Sequence, residues 1–197
     1  MAYKEDWQSI SARAKQRLAD SISPEWRIPP DKMPPADQLD VRDVPRTCGI
    51  LSQNELEITD SYATEILSQI ASGAWKAEAV TRAFCKRAAL AHQLTNCLTV
   101  TLFSTALERA RELDAHFAAT GKTVGPLHGL PVSLKDNFNV PGVPSSVGFC
   151  AWAFEEMGEE STVVGILRGL GAVVGFVKTN VPTAMMIAES VNNTYGR

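Results

Sequence analysis

Dense basic clusters, paired cysteines and long apolar runs are all missing from this chain of 197 residues. Its 22 acidic and 19 basic side chains leave a net charge of −3, and no Lys/Arg stripe is dense enough to track phosphates, so nucleic acid is a poor partner. Cys48, Cys85, Cys97 and Cys150 form no Cys-x-x-Cys, and His92, His116 and His128 stand at no ligand spacing from them. That argues against a zinc site, and no metal is expected. The start, MAYKEDWQSI, carries charges where a secretory signal would carry an apolar core. A cytoplasmic protein with reduced thiols is therefore expected. The most apolar stretch, residues 163–177, is interrupted by Arg168 and four glycines and falls short of the ~20 residues a membrane span needs.

What is present reads as alternating helices and strands. Trp7, Ile10, Ala14 and Leu18 recur at helical spacing over residues 5–20. Pro24, Pro29, Pro30, Pro34 and Pro35 then imply an extended strap to about residue 47, because proline removes a helix donor and clashes with the preceding turn. A helix is expected from Thr59 and Asp60, good capping types, to Gly73, with Ala63, Ile66, Leu67 and Ile70 on one face. Another spans residues 76–92 on Val80, Ala83, Phe84, Arg87 and Ala91. Leu98, Val100 and Leu102 alternate with threonines as a half-buried strand, and a helix from Ser104 uses Ala106, Leu107, Ala110 and Leu113. Strands at 130–134 and 172–178, with a helix at 162–170 between them, complete an α/β pattern. Two regions are expected: residues 1–50, a helix and Pro-rich arm, and residues 51–197, the main body.

Two segments invite a chemical reading. GLGAVVG contains a Gly-x-Gly, but a phosphate loop needs strand, glycine turn and helix N-terminus in that order. Here the helix comes first, so Gly171 reads as its C-terminal turn. No nucleotide or other cofactor is expected. The sharper segment is GPLHGLPVSLKDNFNVPGVPSS, residues 125–146. On a strand over residues 130–134, Leu130, Val132 and Leu134 face one way while Pro131, Ser133 and Lys135 face the other. Lys135 then ends the strand, where active sites of open α/β sheets gather. By residue type alone it is an ordinary solvated turn lysine.

GPLHGLPVSLKD resembles the amidase-signature segment Gly-Pro-Leu-x-Gly-[Ile/Val]-Pro-[Val/Ile]-x-[Leu/Val]-Lys-Asp. GLGAVVGFVKTNVPTAMM, residues 169–186, is similar to that family's strand ending in Lys-Thr-Asn-x-Pro. SVNNTYGR, residues 190–197, resembles the Ser-x-Asn-x-x-aromatic-Gly-Arg of its fungal acetamidase and fatty acid amide hydrolase branch. The resemblance implies the N-terminal part of a mixed sheet flanked by helices. It implies hydrolysis of carboxylic amides by a Ser-cisSer-Lys triad, with Lys135 as the lysine and Met185 and Ile187 lining the acyl pocket. A lysine acts as a base only when neutral, a form that burial favours. Lys135 is accordingly expected in a concavity with apolar walls. His128 reads as structural.

The family's Gly-Gly-Ser-Ser-Gly-Gly loop, source of the cis-serine, the oxyanion donors and the nucleophile, occurs nowhere in the 197 residues. Ser145 and Ser146 read as turn residues instead. The sequence thus predicts an amidase-signature domain truncated before its serine loop, inactive as it stands, which would take a small-molecule amide if completed. Uncovered sheet such as Val173, Val174, Phe176 and Val177 would favour self-association. The alternatives are a non-catalytic amidase-like remnant that binds a partner, for instance within a fungal biosynthetic cluster, and an unrelated α/β binding protein.

Overall fold

The structure, a computed structural model, describes residues 5–197. Helix α1 (Trp7–Asp20) begins at Asp6, whose carboxylate accepts from the Ser9 backbone N–H at 2.9 Å and relieves one orphan donor of the first turn. It buries Ser11, Ala14 and Leu18. The Pro-rich segment is not wholly extended. It contains two short 3₁₀ turns at Pro24–Trp26 and Pro30–Lys32 and one helical turn, α2 (Val44–Thr47), each with proline at its start where a missing N–H costs nothing. Trp26 also leaves the surface, packing edge-to-face on Phe103 with ring centroids 5.4 Å apart.

The helix expected from Thr59 to Gly73 is in fact the second of two. Helix α3 (Gln53–Asp60) starts at a capping box: the Ser52 hydroxyl accepts from Glu55 N–H, and the Glu55 carboxylate accepts from Ser52 N–H. Ser61 and Tyr62 then adopt extended backbone, and α4 (Ala63–Ala71) follows with Ile66 and Ile70 buried. Asp60 does not cap; its carboxylate receives Arg46 at 2.6 Å and Arg87 at 3.3 Å.

Helix α5 (Ala77–Thr95), strand β1 (Leu98–Thr101) and helix α6 (Phe103–Thr120) lie within a few residues of the expected bounds. No side chain at the N-terminus of α5 caps it. Asp114 of α6 does so from outside, accepting from the N–H groups of Ala77 and Glu78 at 2.7 and 3.0 Å. Asn96 and Gly121 end the two helices in left-handed backbone.

Strand β2 (Pro131–Lys135), helix α7 (Thr162–Gly169) and strand β3 (Val173–Thr179) complete the α/β body. The sheet order is β1-β3-β2, with β3 antiparallel to β1 and parallel to β2. The main core gathers Leu18, Ile22, Trp26, Phe103, Leu113, Val173, Phe176 and Val177, so the β3 run expected to lie uncovered is buried beneath the helices, with Val174 alone partly exposed. Val132 pairs with Val174 but Leu134 with Lys178, so β3 spends two extra residues between those rungs. Gly175, at φ +77°, sits in that bulge, where a Cβ would lie 3.1 Å from the Leu134 side chain. The bulge breaks simple alternation, and Phe176, Val177 and Lys178 are all buried in succession.

Candidate active site and the buried network behind it

Lys135 ends β2, paired in register with Thr179 of β3. Its side chain and that of Ser133 are exposed, while Leu134 between them is buried. The two polar residues thus share a face. Lys135 is exposed at the edge of the three-stranded sheet rather than enclosed in the expected concavity. Met185 and Ile187 are likewise exposed, at 40% and 61%, on the turn after Pro182. Ala184 and Met185 both have positive φ, which presents this turn outward in a backbone that L-residues seldom adopt.

Behind Lys135 lies a polar cluster that sequence reading missed. Asp136 is 1% exposed. One carboxylate oxygen accepts from the Thr99 hydroxyl at 2.7 Å, and the other accepts from the Ser146 hydroxyl and the Val147 N–H, both at 2.8 Å. Lys178, with no exposed surface, donates to the Pro144 carbonyl at 2.6 Å and the Ser145 hydroxyl at 2.7 Å, with its ammonium 3.8 Å from Asp136. Burial pulls the Lys178 amine down to about 8, against the opposing pull of the Asp136 charge. Ser145 and Ser146 are therefore not solvated turn residues. They sit 5% and 1% exposed because two buried charges need hydroxyl partners. Thr99 is turned inward for the same reason.

The Lys178–Ser145 contact has the residue types of a base and nucleophile. Yet both side chains are closed off from solvent, where no substrate can reach them. The cluster is built to hold backbone.

The last residues dock against the same region. Asn192 donates to the Asn180 side-chain oxygen and the Val181 carbonyl, both at 2.7 Å, and its own oxygen accepts from Thr194 and Tyr195 N–H. Asn96 and Asn180 bind the carbonyls of Tyr195 and Gly196 at 2.8 and 3.2 Å. The Tyr195 phenol is buried, which pushes it up to about 12, and it lies against Ser146 and Arg17. His128 is buried too, accepting the Val124 N–H at its Nδ1, with desolvation lowering its pKa. Among the described residues no group of three or more His, Cys, Asp and Glu is gathered to hold a metal ion. No helix among them is long and apolar enough to cross a membrane.

The fold is an α/β sheet with a lysine closing its parallel edge strand and an asparagine-rich segment clamped beside it, and comparison with known proteins gives the family. The family described as Amidase matches residues 79–197. The chain belongs to the amidase family. It is 45% identical over 191 residues to the acetamidase of Aspergillus oryzae and 43% identical over 193 residues to that of Emericella nidulans, covering 97% and 98% of this chain and 34% of each relative. A solved fatty acid amide hydrolase superposes with a TM-score of 0.89 at 34% identity, over 98% of this chain and 34% of that one. The chain thus spans about a third of the length of these relatives.

Proposed function

We propose that this chain is the lysine-bearing N-terminal part of an amide hydrolase, with residues 1–50 as its helix and arm and 51–197 as a partial catalytic domain. The reading is carried by the place of Lys135, at the carboxyl end of β2 within GPLHGLPVSLKD and on the same face as Ser133. Hydrolysis of a carboxylic amide needs a nucleophile, a base for it, a proton for the departing amine and donors for the tetrahedral oxyanion. Lys135 supplies the proton traffic in this reading, and Met185 and Ile187 border the acyl side of a small-molecule amide. The exposed ammonium needs a covering layer before it can act as a neutral base, because water favours the charged form.

By itself the chain offers one of the four elements and is expected to be catalytically silent and cytoplasmic, with no cofactor. A second reading, a non-catalytic protein that binds a partner or itself, is favoured by the exposed Met185, Met186, Ile187 and Val191. The two readings part in one experiment. The chain, and the chain joined to the remaining segment of an acetamidase relative, are assayed for ammonia or amine release from acetamide, benzamide and a fatty acyl amide, and for labelling by a fluorophosphonate. Silence of the first and Lys135-dependent turnover by the second is the expected result. Turnover by the second that survives Lys135→Ala removes Lys135 from the mechanism, and turnover by the chain alone makes one of its own serines the nucleophile.

A further inference from the structure

The buried cluster behind Lys135 does more than satisfy its own members. The Asp136 carboxylate takes the N–H of Val147, a β-branched residue held at φ +47°, a conformation costing on the order of 1–3 kcal/mol that persists only when its surroundings dictate it. The Val147 carbonyl in turn accepts the Ala184 N–H at 3.0 Å, inside the turn that presents Met185. Gly148, at φ +78°, is pressed so close to Thr183 that a Cβ would lie 2.9 Å from the Thr183 Cα, and its N–H is held by the Ser146 hydroxyl. One carboxylate therefore sits in a chain of direct bonds between the end of β2 and the Thr183–Met185 turn. Lys178 holds the start of the same loop through Pro144 and Ser145.

We propose that Asp136 and Lys178 are positioning residues whose buried ion pair locks the 144–148 loop and so fixes the spacing between the strand end that bears Lys135 and the turn that bears Met185. Neither touches a substrate. A buried pair adds little net stability, since desolvating two charges cancels most of their attraction, but it permits one geometry and penalises others. Lys135 and Met185 are both exposed, and the direct bonds that tie their backbone segments together run through the buried cluster behind them. The catalytic meaning of that spacing rests on the function proposed above, whereas the lock itself does not, and it can be tested without turnover.

The test is amide hydrogen exchange and backbone NMR on the 197-residue chain and its Lys178→Met, Asp136→Asn and Thr99→Val variants. Lys178→Met and Asp136→Asn should speed exchange at Val147, Gly148 and Ala184 by about 100-fold, while Ala110 and Leu113 in α6 stay within about 3-fold. The charged and titratable groups facing the pair are Tyr195 and, beyond it, Arg17. The backbone signals of Val147 and Gly148 should follow the Lys178 amine with a midpoint of about 8 in the parent chain and stay flat in Lys178→Met. Unchanged exchange at 147, 148 and 184 in a folded variant overturns the proposal, as does equal acceleration in loop and helices. Should the charge variants not fold, Thr99→Val decides: it keeps both charges and removes one bond to Asp136, so selective acceleration at the same amides by about 3- to 10-fold supports the lock and none refutes it. Failure of the catalytic reading would appear in the turnover assay and leave these signals untouched.

Discussion

Lys135 and Lys178 lie on neighbouring strands and live in opposite worlds. Lys135 is exposed at a sheet edge. Lys178 has no exposed surface, two oxygen acceptors within 2.7 Å and a carboxylate close by. The family resemblance gives the chemistry to the first, yet the environment that perturbs an amine belongs to the second. The contrast shows that a perturbed lysine marks burial, which serves architecture as readily as catalysis. It also divides the molecule into a finished side, where polar groups are matched, and an open side carrying Ser133, Lys135, Met185 and Ile187.

The largest expected break in this comparison comes from removing each lysine in turn. Lys178→Met leaves the Asp136 carboxylate buried without its counter-ion and should lower the unfolding free energy by about 3–5 kcal/mol. Lys135→Met should leave the denaturant midpoint unchanged within error, since exposed positions without partners seldom matter to stability. Equal losses for the two would erase the distinction between the finished and open sides.

A smaller effect sharpens it through pH. The folded-state pKa of Lys178 is lowered from 10.5 to about 8, so between these values the unfolded chain binds more protons than the folded one, and stability must rise with pH. The Lys178 contribution should be about 1 kcal/mol from pH 8 to 9, read as the difference between the parent chain and Lys178→Met. From about pH 8 it is opposed by Cys85, whose thiol burial pushes up from 9.0 to about 12, and at higher pH by the Tyr195 phenol, also pushed up to about 12, because the unfolded chain loses those protons first. Denaturant melts of the parent and Lys178→Met at pH 8.0, 8.5 and 9.0 measure the two slopes; equal slopes would show that Lys178 is not desolvated.

The smallest expected change in stability lies on the open side. Met185→Ser with Ile187→Ser removes two exposed apolar side chains and should leave the thermal midpoint alone while reducing self-association, followed by light scattering against concentration. A drop in midpoint would mean that this turn is packed in solution.

Sequence carried the local structure well. The apolar spacing of Ala106, Leu107, Ala110 and Leu113 is the buried face of α6, and Lys135 stands at the strand end that alternation gives it. The break at Ser61–Tyr62 escaped because Thr59 and Asp60 look like caps, whereas Asp60 is engaged by two arginines from elsewhere. The Asp136 cluster escaped for a broader reason. Thr99 lies 37 residues from Asp136, and Lys178 lies 33 from Ser145, distances no periodic pattern reports. A bulge at Gly175 then hides from alternation which way Lys178 points. One signal was available: a lysine inside an apolar strand, in GFVKTN, seldom goes unpaired.

The strand order has a consequence for how the chain is made. Among the described residues, strands β1 and β2 pair only with β3, which is the last of the three to be synthesised. At ribosomal speeds of about 5–20 residues per second, β1 waits on the order of 4–14 s for its partner. During that interval the α5–α6 pair can close on itself, since its contacts are near in sequence, but no rung of the sheet can form. The nascent chain therefore carries two unpaired strands until residue 179 has left the tunnel, and then gains the whole sheet from a single segment.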